Sequence, residues 1–151
     1  MWITVTETDF REVLTGPEIT AIQTAATQAG QTDPLPNAMN DAIQFVRGKV
    51  AGCLQNVLGD QTLGYKIPQE LRRVTLILGA YYGCDRVPAG VMNADRKKEY
   101  DGAMRTLDQI ASCEMRIEQP LAVTQQVISG PYTSLVTSSE ARAGREQMRG
   151  L

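Results

Sequence analysis

The chain has 151 residues, 42% hydrophobic and only 5% aromatic, with 17 acidic against 15 basic residues and no histidine. That length makes one domain with a modest core the default. A net charge of −2 excludes a nucleic-acid footprint over the whole chain, and the missing histidine excludes Ser-His and Cys-His nucleophile pairs and imidazole metal ligands.

In chain order, residues 6–14 (TETDFREVL) open on a cap-like Thr6, carry early acids and stop at Gly16-Pro17, which predicts a short helix or single turn. Pro17 suits the first position of a second helix, where its missing N–H costs nothing. That helix puts Ile19, Ile22 and Ala26 on one face and ends at Gly30. Residues 31–36 (QTDPLP) are a break.

Residues 37–58 form the clearest helix, with Asn37 as N-cap and Met39, Ile43, Val46, Val50, Leu54 and Val57 at spacings of three and four. Gly48 and Gly52 lie four apart on another face. They imply either close helix–helix approach, the favoured reading, or simply a loss of about 1 kcal/mol of helix stability each. Gly59 closes this helix, and residues 59–68 run as a loop into an extended Tyr65–Pro68.

A helix starting at Pro68 buries Leu71, Val74, Leu78, Tyr81 and Tyr82, broadened by Leu76 and Ile77, and is expected to be the most central. Residues 83–90 read as a turn. Asn93 caps the last long helix, whose stripe is Tyr100, Ala103, Met104, Leu107, Ile110 and Ala111. Arg96, Lys97 and Lys98 crowd its start, where the helix dipole disfavours cations. An acidic partner or a solvated face would account for them. The tail differs: residues 121–136 are Val/Thr/Gln-rich and interrupted by Gly130-Pro131, so they read as extended, β-capable chain. Residues 138–151 could add only a short helix, marginal on its own.

The expected class is all-α, a four- to five-helix bundle over residues 1–120 with an extended C-terminal arm over 121–151. Charge is uneven: residues 1–41 carry a net −5 and the remainder +3. That split suits head-to-tail contact between copies, or is simply a solvated surface of uneven composition. Cys53, Cys84 and Cys113 have no C-x-x-C spacing and read as reduced, packed thiols. No metal, cofactor or catalytic residue is expected. Asp95/Glu99 and Asp101/Asp108 have helical spacing but polar surroundings, and no phosphate-binding glycine motif occurs. No signal peptide and no membrane-spanning run is read in the sequence.

Three elements carry a resemblance. Pro34-Leu35-Pro36 precedes the long helix, Ile67-Pro68-Gln69-Glu70-Leu71 opens the next one, and Tyr100-Asp101-Gly102-Ala103 through Leu107-Asp108-Gln109-Ile110-Ala111-Ser112-Cys113 closes the bundle. In this plan the chain resembles head–tail connector (adaptor, or neck) proteins of tailed bacteriophages, including the Mu-like neck family, over about residues 5–120. The departure is Cys113, where that pattern carries glycine. Cysteine serves there if the turn does not need a positive φ and adds strain if it does.

The resemblance implies a virion protein of the neck, made in the host bacterial cytoplasm and not an enzyme. It implies a ring of copies, commonly twelve, seated on the portal protein. The ring would dock a downstream neck or tail protein and let DNA pass without specific binding. The β-capable arm with its Arg-bearing end would supply partner contacts, with Val123, Val127, Ile128, Tyr132, Arg142, Arg145, Arg149 and Leu151 as candidates. The alternative is a DNA-binding packaging protein, small-terminase-like. Arg72-Arg73 and Arg96-Lys97-Lys98 are the dense basic clusters available for it.

Overall fold

Thr6 and Thr15 begin the first two helical segments by one device. In each, a carboxylate three residues on reaches back to the threonine's own N–H: Asp9 to Thr6 and Glu18 to Thr15, both at 2.8 Å. A 3-10 turn over Glu7–Glu12 follows the first and α1 (Gly16–Gln28) the second, with Pro17 in its first turn. The computed structural model describes residues 1–58, 65–86 and 93–120. The other elements are β1 (Trp2–Thr4), α2 (Leu35–Gly52), β2 (Lys66–Pro68), a 3-10 turn over Gln69–Leu71, α3 (Arg72–Asp85) and α4 (Ala94–Ala111). The class is all-α, a helical bundle, with one small sheet that sequence periodicity did not suggest. In it β1 and β2 pair antiparallel, Ile3 opposite Ile67. Three residues per strand are too few for alternation to be read.

The core lies between α2, α3 and α4. Val46 and Val50, Leu76 and Leu78, and Leu107 and Ile110 are fully buried there, and Phe10, Ile22 and Ile67 join them from the N-terminal segments and β2. α3 meets both α2 and α4, and α2 likewise meets both α3 and α4, so the two helices share the central place expected of α3 alone. Its buried face is Thr75, Leu76, Leu78, Gly79, Ala80, Gly83 and Cys84, while Val74, Tyr81 and Tyr82 are only half-buried. The Thr75 hydroxyl stays satisfied by donating to the Leu71 carbonyl at 2.9 Å. Gly83 does not begin a turn. A Cβ there would sit 3.2 Å from Leu35, so the glycine serves helix packing and α3 runs on to Asp85.

The long second helix is shifted from its expected span. Pro36 lies inside its first turn, where a missing N–H is harmless, and Pro34 rather than Asn37 stands at the N-cap. The helix stops at Gly52, so Leu54 (97% exposed) and Val57 fall outside it and face solvent despite their spacing. The Gly48/Gly52 pair divides: a Cβ on Gly52 would come 3.2 Å from the Ala111 Cβ, whereas Gly48 faces open space. Among the described glycines the tightest seat is Gly79, where a Cβ would lie 2.8 Å from the Phe10 ring.

Candidate interaction surface

Two of the three cysteines are not reduced thiols. Cys53, just past α2, and Cys113, just past α4, form a disulfide with Cα atoms 5.2 Å apart and a sequence separation of 60, while Cys84 remains a buried thiol. That separation leaves no local spacing signal, which is why the pair could not be read from the sequence. Its position follows from helix packing. The Gly52–Ala111 contact brings the two helix ends together just before the cysteines.

Beyond α4 the chain turns sharply. The Cys113 N–H donates to the Ile110 carbonyl and the Glu114 N–H to the Gln109 carbonyl, at 3.1 and 2.9 Å. This is the paired bonding that ends helices through a left-handed residue, and Cys113 holds that conformation with φ of 64°. The turn does need a positive φ, so cysteine adds strain where glycine would not.

Residues 113–120 then form a strap across the end of the bundle. Ile117 is buried. The Trp2 indole Nε1 donates to the Glu118 carbonyl at 2.9 Å, and the Glu118 N–H to a Glu70 carboxylate oxygen at 3.2 Å. The Met1 ammonium pairs with the Glu118 carboxylate. The Gln119 amide accepts from the Val57 N–H at 2.8 Å and donates to Asn56 at 3.0 Å. The strap therefore ties β1, the turn before α3 and the loop after α2 to one another. Leu54, Val57 and Met115 are exposed large apolar residues on these same segments. Below the strap Arg47 is buried, its Nη1 donating to the Lys66 carbonyl at 2.6 Å and its guanidinium lying 5.7 Å from the Trp2 ring centre. Burial lowers its pKa.

Part of the uneven charge is spent inside the chain. Arg72 forks onto Glu12, with a second donor at 2.6 Å, and reaches Asp9 at 3.1 Å. The hydrogen bond from Arg72 lowers the Glu12 pKa, and its reciprocal from Glu12 raises that of Arg72. Arg96 pairs with Glu18. Burial pushes the Glu18 carboxyl up, but hydrogen bonds from Thr15 and Arg96 outweigh it and the pKa falls. The acidic partner implied by Arg96 at the start of α4 is thus in the same chain. Three of the six N-terminal acids are engaged in this way, which removes much of the basis for charge-driven contact between copies.

Asn93 caps α4 as expected, accepting from the Arg96 N–H at 2.8 Å. Tyr81 stacks on Tyr100 with ring centres 4.0 Å apart, and Tyr82 meets both edge-on. A cleft of about 330 Å³ beside Tyr82 is lined by Asp41, Phe45, Asp85 and Arg86. Of the paired carboxylates read in the sequence, Asp95 and Asp101 are exposed and Asp108 bonds Lys49 at 2.6 Å. Among the described residues no cluster of His, Cys, Asp or Glu is arranged to hold a metal ion, and no helix is long and apolar enough to cross a membrane.

The candidate partner residues Val123, Val127, Ile128, Tyr132, Arg142, Arg145, Arg149 and Leu151 all lie outside the described residues. Comparison with protein-family profiles, with curated proteins and with solved structures finds no match.

Proposed function

We propose that the chain is a structural head–tail adaptor of a tailed bacteriophage, acting as a ring beneath the portal that extends the DNA channel and docks the next neck or tail protein. The observation that carries this reading is the strap. It holds Gln119 to the loop after α2 through Val57 and Asn56 and buries Ile117, on segments that also carry the exposed Leu54, Val57 and Met115. A body that fixes the root of a long β-capable segment suits assembly, because repetition around a ring multiplies weak contacts.

The resemblance elements also coincide with structural boundaries. Pro34-Leu35-Pro36 opens α2, Ile67–Leu71 makes β2 and the turn into α3, and Tyr100–Cys113 makes most of α4 and its terminal turn. The packaging-protein alternative loses support at Arg72 and Arg96. Both basic clusters have their leading arginine engaged by carboxylates of the same chain.

Mixing the full chain with portal rings from the same genome tests the proposal by electron microscopy. A second ring of density at one end of the portal is expected, with a chain ending at Pro120 binding more weakly. Bare portals at micromolar protein would overturn the adaptor reading. Undiminished binding by the shortened chain would remove the arm from the interface. Duplex DNA affinity falling steeply with salt would favour the packaging reading instead.

A further inference from the structure

We infer that the Cys53–Cys113 disulfide is a redox-set clamp on the 113–120 strap: oxidation pins the strap to the bundle, and reduction releases it. This does not depend on the head–tail reading. The two cysteines stand at the roots of the two segments that the strap joins. Cys53 precedes the loop that supplies Asn56 and Val57, and Cys113 precedes Ile117, Glu118 and Gln119. The cross-link therefore governs both sides of those hydrogen bonds.

The backbone at Cys113 adds a second, independent argument. The same turn ends α1, with the Gly30 N–H bonded to Thr27 and the Gln31 N–H to Ala26, and there the left-handed residue is glycine, φ 69°. At the end of α4 a cysteine holds a conformation that disfavours it. While oxidised, the covalent bond enforces the turn. Once reduced, the turn keeps the unfavourable residue and loses what enforced it.

The chemistry is ordinary exchange with a small-molecule thiol–disulfide couple such as glutathione. In reduction, a glutathione thiolate attacks the sulfur of Cys113, the exposed member of the pair. The buried Cys53 leaves as thiolate and takes up a proton. A second glutathione thiolate attacks the glutathione sulfur of the mixed disulfide, releasing Cys113 as a thiol and carrying the two electrons' worth of oxidation away as glutathione disulfide. Oxidation is the reverse. In a reducing compartment the clamp stands open, and transfer to an oxidising one sets it.

Arg116 offers the readout, since it is exposed and adjoins the buried Ile117. Trypsin should cleave after Arg116 at least about tenfold faster in the full chain reduced with a phosphine than in the chain oxidised with glutathione disulfide. Cleavage after Arg105, within α4, should stay slow in both. The melting midpoint should fall by about 10 °C on reduction. Cys53→Ser should show the reduced pattern under oxidising conditions. Cys113→Gly, which keeps the turn and lacks the bond, should do so as well. Equal cleavage after Arg116 in both redox states would overturn the clamp. So would a parallel rise at Arg105, which would mean general unfolding, or full protection in Cys113→Gly, which would credit the turn alone.

Discussion

The N-terminal segment and the C-terminal strap are both short stretches laid over the helical bundle, yet different chemistry fastens them. The first is held by the Phe10 ring seated against Gly79 and by carboxylates of residues 9–18 on Arg72 and Arg96. The second is held by a disulfide, one buried isoleucine and mostly neutral hydrogen bonds, beside the exposed pair of Met1 and Glu118. The contrast means that salt and acid should loosen chiefly the segment over residues 9–18 and thiols the strap. The segment that responds to thiols is the one from which the chain continues past Pro120.

Removing the disulfide is the largest way to break this contrast. A cross-link between residues 60 apart restricts the unfolded chain by about 4 kcal/mol in the loop-entropy account. Urea unfolding of Cys53→Ser against oxidised wild type should recover most of that. A difference under about 1 kcal/mol would mean that the disulfide merely decorates an end already fixed by Ile117 and Gln119. The counterpart for the N-terminal segment is Gly79→Ala. Its new Cβ would meet the Phe10 ring at 2.8 Å, and the rigid aromatic must shift at a cost of about 1–3 kcal/mol. An unchanged unfolding midpoint would show that the N-terminal segment is looser than its burial implies.

What the sequence revealed of these two segments differs as well. The Gly16-Pro17 start, the Gly30 stop and the Asn93 cap are local signals and lie where the sequence puts them, and of the stripe on the last helix Ala103, Leu107 and Ile110 are buried while Tyr100, Met104 and Ala111 are half-buried. The end of α2 misled because apolar spacing continues through Leu54 and Val57. The helix ends instead where Cys53 turns extended, beside the Gly52–Ala111 contact and at the disulfide, which are both contacts with a distant part of the chain. The charge asymmetry was plain in the sequence, but its destination was not. Arg72 meets Glu12 across 60 residues and Arg96 meets Glu18 across 78, distances at which no pairing rule operates. Of the exposed apolar residues at the strap, Leu54 and Val57 were legible only as part of a helix face that does not form, and Met115 carried no signal. The arm residues that carried the site expectation lie outside the described residues.

Gly48 sharpens the comparison from the neutral side. It sits within α2, and a Cβ added there would meet nothing within 4 Å, so Gly48→Ala should stabilise the bundle by about 0.5–1 kcal/mol through helix propensity alone. The gain should be the same in oxidised and reduced protein, measured by urea unfolding. A loss would mean that the face near Gly48 is occupied in solution, as it would be in a ring of copies.

The smallest effect expected is acid loosening of the N-terminal segment. Glu12 and Glu18 both have folded-state pKa values below the ordinary 4.5, for the hydrogen-bonding reasons given above. The stabilisation they supply is therefore complete above that value and is lost as pH falls below it through the folded values. Both pairs are partly open to solvent, so salt should weaken them too. Thermal unfolding followed from about pH 7 down to about pH 3 should show a decline that begins near the ordinary carboxylate range. It should be shallower in Arg96→Gln, because that variant has already lost its pair with Glu18. Oxidised and reduced proteins should lose the same increment from these two carboxylates, since the disulfide contains no titrating group and most strap bonds use amides and carbonyls. A steeper acid decline in the reduced protein would show that the two segments are mechanically coupled, as through Glu70 and Arg72 at the start of α3, and the separation of a charge-fastened segment from a thiol-fastened one would then fail.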